Sequence, residues 1–149
     1  MIHAQNVIYE NALVPAAQTG STLTSAIDTN GCAYVTLIAS FGAIAASGDL
    51  TAFKLTESTA SGGSYTDVAS GAITNATVGT ASLPAADDDN KVFVWQVNVL
   101  NLTKRFIKLQ ADCHASNAAT LGVIAIKSRL SESPAETTAG TGAEAIVRI

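Results

Sequence analysis

The chain is poor in the side chains that do chemistry. It has two histidines, His3 and His114, and two cysteines, Cys32 and Cys113. A zinc site or a Ser-His-Asp triad needs several such groups brought together. In Asp112-Cys-His114 the Cys and His are neighbours along a predicted strand, so they point to opposite faces and form no dyad. Asp87-Asp-Asp-Asn90 is the one acidic run, but a calcium hand counted from Asp87 would need Gly at position 92 and Glu at 98, where Val and Asn stand. The run reads as a solvated turn. The sequence therefore assigns no catalytic residue, no metal ligand and no cofactor, and the expectation is that the chain is not an enzyme.

Charge is scarce as well. Charged residues make up 13%, against roughly 25% in an ordinary globular domain. The net charge of −4 argues against general affinity for nucleic acid or anionic membranes, so neither partner is expected. Aromatics are only 5%, which leaves few platforms for sugars. The start, Met1-Ile-His-Ala-Gln-Asn6, has neither a basic end nor an apolar core. No apolar run nears the ~20 residues that span a bilayer. The expectation is a protein made and kept in a cytoplasm until something releases it. Cys32 and Cys113 fall inside predicted strands and read as small buried hydrophobes; spacing alone does not decide whether they pair.

What the chain does have is β-pattern. Lys91–Leu100, Lys104–Cys113 and Thr120–Arg129 read as three strands bounded by Asn, Ser, Thr or Gly. In the first, Phe93, Trp95, Val97 and Val99 share a face that reads as core. In the second, Ile107, Leu109, Ala111 and Cys113 point inward, and Phe106, Lys108, Gln110 and Asp112 outward. In the third, Ile124 and Ile126 oppose Lys127 and Arg129. Residues 91–130 also hold six of the eight basic residues.

Upstream, Asn6–Val14 is strand-like and ends at Pro15, or lies at a sheet edge, because proline lacks a backbone donor. Thr22–Ile27 reads as a short strand. Cys32–Ser40 is apolar on both faces and is expected to be central. Gly42–Gly48 reads as a small-residue connector with a helical turn around Ala43–Ala46. Leu50–Glu57 and Tyr65–Val68 form a hairpin, with Phe53 and Leu55 on one face and Lys54 and Thr56 on the other. A weaker strand is placed near Thr77–Leu83. Ser131–Gly142 reads as a flexible tail before the apolar Ala145–Ile149.

No helix of normal length shows a 3.6-residue period. The fold class that follows is all-β: an antiparallel β-sandwich, jelly-roll-like, of about eight strands, with extended N- and C-terminal segments. The organisation is an N-terminal arm or edge strand over 1–14, a sandwich domain over 15–130 and a tail over 131–149.

Three stretches carry a resemblance. They are Leu55-Thr-Glu-Ser-Thr-Ala-Ser-Gly-Gly-Ser-Tyr-Thr-Asp-Val68, Asp88-Asp-Asn-Lys-Val92 and Lys104-Arg-Phe-Ile-Lys-Leu109. In layout, over residues 50–130, the chain resembles small capsid decoration (cement) proteins of tailed bacteriophages. The resemblance implies a homotrimer bound to the major capsid protein on the outer shell of a virion, bracing it. A virion-associated receptor- or glycan-binding module and a tail-tube subunit are the alternatives. The residues expected to touch partners are His3, Val7 and Tyr9 in the first segment, Lys104, Arg105 and Lys108 in the basic cluster, and Ile146, Val147 and Ile149 at the C-terminal end.

Overall fold

The computed structural model describes residues 7–73 and 83–129. Nine strands lie among them: β1 (Val7–Gln18), β2 (Ser21–Leu23), β3 (Ile27–Asp28), β4 (Tyr34–Ile44), β5 (Ala52–Ser58), β6 (Thr66–Ile73), β7 (Val92–Asn98), β8 (Phe106–Asp112) and β9 (Ala119–Ser128). They form two antiparallel sheets. Sheet A has the order β1-β9-β4-β7, and sheet B the order β2-β8-β5-β6, with β3 also on β8. Since β2 and β3 pair with successive parts of β8, they fill one position, and the sandwich has eight. The pairing is nested: β1 with β9, β2 and β3 with β8, β4 with β7, β5 with β6. This is one long hairpin rolled onto itself, the jelly-roll connectivity expected from the sequence.

The core lies between the sheets. Sheet A contributes Val35, Leu37, Ala39 and Phe41 from β4 and Ala119, Leu121, Val123 and Ala125 from β9; sheet B contributes Phe53, Leu55, Ile107, Leu109 and Ala111. Each set advances in steps of two, as a pleated strand requires. At one end Phe53 meets Phe41, Phe93 and Trp95 edge-on, at centroid distances of 5.5, 5.8 and 4.6 Å, the geometry favoured by ring quadrupoles.

Both open sides of the sandwich are crossed by hydrogen bonds. On one, the Trp95 indole N–H of β7 donates to the Gly71 carbonyl of β6 at 3.1 Å. On the other, β1 is bulged between Asn11 and Leu13. The bulge frees the Ala12 carbonyl, which accepts the Ser25 N–H at 2.8 Å and the Ser25 hydroxyl at 3.2 Å. Ser25 is available because the β2–β3 strand breaks there. Beside it, the Thr24 hydroxyl accepts the Leu109 N–H at 3.1 Å, replacing the lost ladder bond.

Several local expectations are revised. β1 does not end at Pro15 but runs to Gln18. Pro15 sits in a second register shift of an edge strand, where no ladder donor is needed. Residues Val7–Val14 thus belong to sheet A. The Thr22–Ile27 strand is two pieces. Gly42–Ile44 is not a connector: β4 continues through it, pairing Ile44 with Ala119. Cys32 precedes β4. Both cysteines are free, and burial pushes both thiols up, which keeps them protonated. Thr56 is buried despite its outward parity. The expected strand near Thr77–Leu83 falls largely outside the described residues.

Gly122 on β9 is required by close approach. A Cβ there would stand 2.6 Å from Pro15 Cγ, and a proline ring in a paired strand has little room to retreat. Gly122→Ala is expected to cost about 1–3 kcal/mol, read by thermal unfolding. A melting temperature equal to the parent's would show that Pro15 gives way freely.

Candidate interaction surface

The two outward faces differ in kind. Sheet B is polar, and its charges are answered within the chain. Lys54 pairs with Asp67 at 2.9 Å. Asp112 accepts from Ser21 Oγ at 2.6 Å and from Gln110 Nε2 at 2.9 Å. Lys108 stands 4.6 Å from the ring centroid of Tyr65, and the Tyr65 hydroxyl donates to the Ser61 carbonyl at 3.0 Å. The Ser58–Tyr65 loop is thereby folded back on itself.

Sheet A is largely uncharged outside; a cation stands at one end of its face, where the Arg129 guanidinium lies 5.4 Å from the centroid of the exposed Tyr34 ring. The pairing register puts Tyr9 and Asn11 of β1 on the same face as Gly122, Ile124 and Ile126 of β9, Thr36, Ile38 and Ser40 of β4, and Val92, Val94 and Gln96 of β7. No Asp, Glu, Lys or Arg stands at these positions. Val92 is 58% exposed, Val94 53%, Ile124 49% and Tyr9 43%. A groove of about 330 Å³ runs over Gly122 where the side chain is missing, between Tyr9, Pro15, Ile38 and Ile124, with Glu10, Asn11 and Ser40 also in its lining. Contiguous exposed apolar surface of this kind marks a contact site.

The residues expected to touch partners are dispersed. Tyr9 lies on this face. Val7 is 1% exposed, paired with Ser128, and offers no side-chain surface. Arg105 is committed to Asp28 through two bonds, Nε–Oδ1 at 2.8 Å and Nη2–Oδ2 at 2.6 Å. This bond holds the Asp28 carboxyl below the usual carboxylate range and pushes the guanidinium further up. Lys104 Nζ donates to Thr66 Oγ1 at 2.5 Å. The basic cluster is thus engaged at one end of sheet B, away from the apolar face. His3, Ile146, Val147 and Ile149 lie outside the described residues.

Ile38, Val92, Val94 and Ile124 were missed. Ile124 and Ile126 do oppose Lys127, but it is the Lys127 parity that faces inward, through Val123 and Ala125. Lys127 itself pairs with Glu10 at 3.1 Å at the margin of that face. The signal was present in β4 and β9, which are apolar at both parities. In an antiparallel sandwich the outer face is normally polar, so a doubly apolar strand points to an outer contact as well as to a central position.

No group of three His, Cys, Asp or Glu side chains is placed to hold a metal among the described residues. His114 Nδ1 accepts the N–H groups of Ser116 and Asn117 at 3.2 and 3.1 Å, so it organises its own turn. Asp89 of the acidic run accepts the Ile44 N–H at 2.7 Å and finishes β4. No protein-family model matches the chain, and no curated protein matches it.

Proposed function

We propose that this chain is a structural virion protein that binds the outer surface of a bacteriophage capsid and stabilises the shell. The observation that carries the reading is the largely uncharged outer face of sheet A, with Val92, Val94, Ile124 and Tyr9 exposed beside a groove. Its counterpart on sheet B has its charges matched internally, which leaves sheet A as the surface with something to gain from a partner. Burying apolar area is worth roughly 25 cal/mol per Å². A shallow contact of this kind is weak singly and strong when symmetry repeats it on one shell. The resemblance to decoration proteins supplies the identity of the partner, the major capsid protein, and the expectation of a trimer.

The test is co-sedimentation with expanded phage heads. Ile124→Lys places a charge at the centre of the face without touching the core. It is expected to weaken binding at least about tenfold, or about 1.4 kcal/mol, while the melting temperature stays near the parent's. Parent chain that ignores the heads, or a variant that binds as well as the parent, would overturn the reading.

A further inference from the structure

We propose that β7 is a pairing edge for a second copy of this chain, so that two sheets A join antiparallel into one continuous sheet. The inference stands apart from the capsid reading and rests on a comparison of the sandwich's edges.

Exposed strand edges are templates for further pairing, and folds usually blunt them with proline, bulges, charge or shortness. Three edges here are blunted. β1 carries Pro15 and two register shifts. β2 and β3 are three and two residues long. β6 has a register shift against β5, Ser70 at a φ of +60° and the charged Asp67. β7 has none of these. It pairs with β4 in unbroken register from Val92 to Asn98, without proline, glycine or charge.

The register also shows which groups are open. Phe41 N–H donates to the Lys91 carbonyl, and Val99 N–H to the Ala33 carbonyl. In an antiparallel ladder hydrogen-bonded pairs alternate, so the odd residues 91 to 99 bond to β4. Val92, Val94 and Gln96 therefore turn both N–H and C=O away from β4, to the edge. Asn98 is spent on the turn that follows, its side chain accepting the Leu100 N–H at 3.1 Å.

The occupant that fits is β7 itself. At a two-fold contact the residue on the axis meets its own copy and the others meet each other in exchange, and Val92–Asn98 has no charge to repel its copy. Centred on Val94, the register sets Val94 against Val94, and Val92 against Gln96, in three hydrogen-bonded pairs. The exposed Val92 and Val94 of both copies then adjoin, merging two apolar faces into one.

The experiment is light scattering after gel filtration over a concentration series, together with amide exchange. Parent chain is expected to form pairs or, where the trimer also assembles, trimers joined in pairs through β7. Protection at the Val92, Val94 and Gln96 amides should rise with concentration. Val94→Pro removes only the N–H that faces the edge and keeps the face apolar; Val94→Lys sets two cations against each other. Both are expected to remain folded by thermal melting and to lose the pairing, whereas Ile124→Lys keeps it. If Val94→Pro alone unfolds, the lysine variant decides. A parent chain that stays monomeric, a trimer with these amides open, or pairing that survives in a folded Val94→Lys would each overturn the proposal.

Discussion

Phe53→Ala is expected to destabilise the chain by roughly 4 kcal/mol, the middle of the range for emptying an aromatic site in a packed core. Phe53 comes from sheet B, but its ring contacts are with sheet A: Phe41 on β4 and Phe93 and Trp95 on β7. Removing it deletes one side of three edge-to-face contacts and opens a cavity between the sheets. The same site holds the β7 edge in place, because Trp95 also donates across the open side to Gly71. Urea unfolding would measure the loss. Phe53→Leu, which keeps most of the volume, should cost about 1–2 kcal/mol. A loss below about 1 kcal/mol for the alanine variant would mean that the cluster closes over the gap.

Glu57→Ala should rank second, at about 3 kcal/mol. Glu57 is 6% exposed, an unfavourable place for a carboxylate unless it is fully partnered. It is. Oε2 accepts the N–H groups of Thr103 and Lys104 at 2.9 and 3.1 Å, and Oε1 accepts the Thr103 hydroxyl. Glu57 thus ties the end of β5 to the turn that enters β8. Alanine would leave these donors without an acceptor, and orphaned buried donors are costlier than the bonds are favourable.

The same site sets an acid dependence. Burial pushes the Glu57 carboxyl up, but the bonds from Thr103 and Lys104 more than offset this, and the net direction is down. A carboxyl lowered in the folded state adds stability above its ordinary range, near 4.3. That stability is lost as the pH falls through the folded value. Asp28, lowered by Arg105, acts in the same direction. Unfolding free energy measured between about pH 7 and 3 should therefore fall with acid. It should fall less steeply in Glu57→Gln, where that titration is gone. An unchanged slope in the glutamine variant would assign the acid dependence elsewhere.

The strands were legible because their periods are clear. β8 alternates Ile107, Leu109 and Ala111 against Lys108, Gln110 and Asp112, and the structure keeps that division. The outer face of sheet A was not legible for the same reason turned round. On β9, Val123 and Ala125 are no more hydrophobic than Ile124 and Ile126, so alternation alone cannot say which pair is inside. The decision is made by neighbours: Ala125 fits opposite Leu37 and Glu10, where a larger side chain would crowd the core. The burial of Thr56, Glu57 and Ser58 was hidden likewise. It depends on Lys108 of β8 and the Thr103–Lys104 turn, which arrive from elsewhere in the chain. The basic cluster looked free because Asp28, which binds Arg105, is distant in sequence.

β9 occupies the middle of sheet A, between β1 and β4, yet it is the last strand among the described residues. Until it is synthesised, β1 has no strand partner among the described residues and β4 is paired on one side only. The sheet therefore cannot grow outward from its N-terminal part; it waits for an insertion that joins Val7 to Ser128. Closing so long a loop must be met before its contacts reward it, which places this chain among folds that form in roughly milliseconds to seconds. During that wait the apolar flanks of β1 and β4 stand open to the solvent.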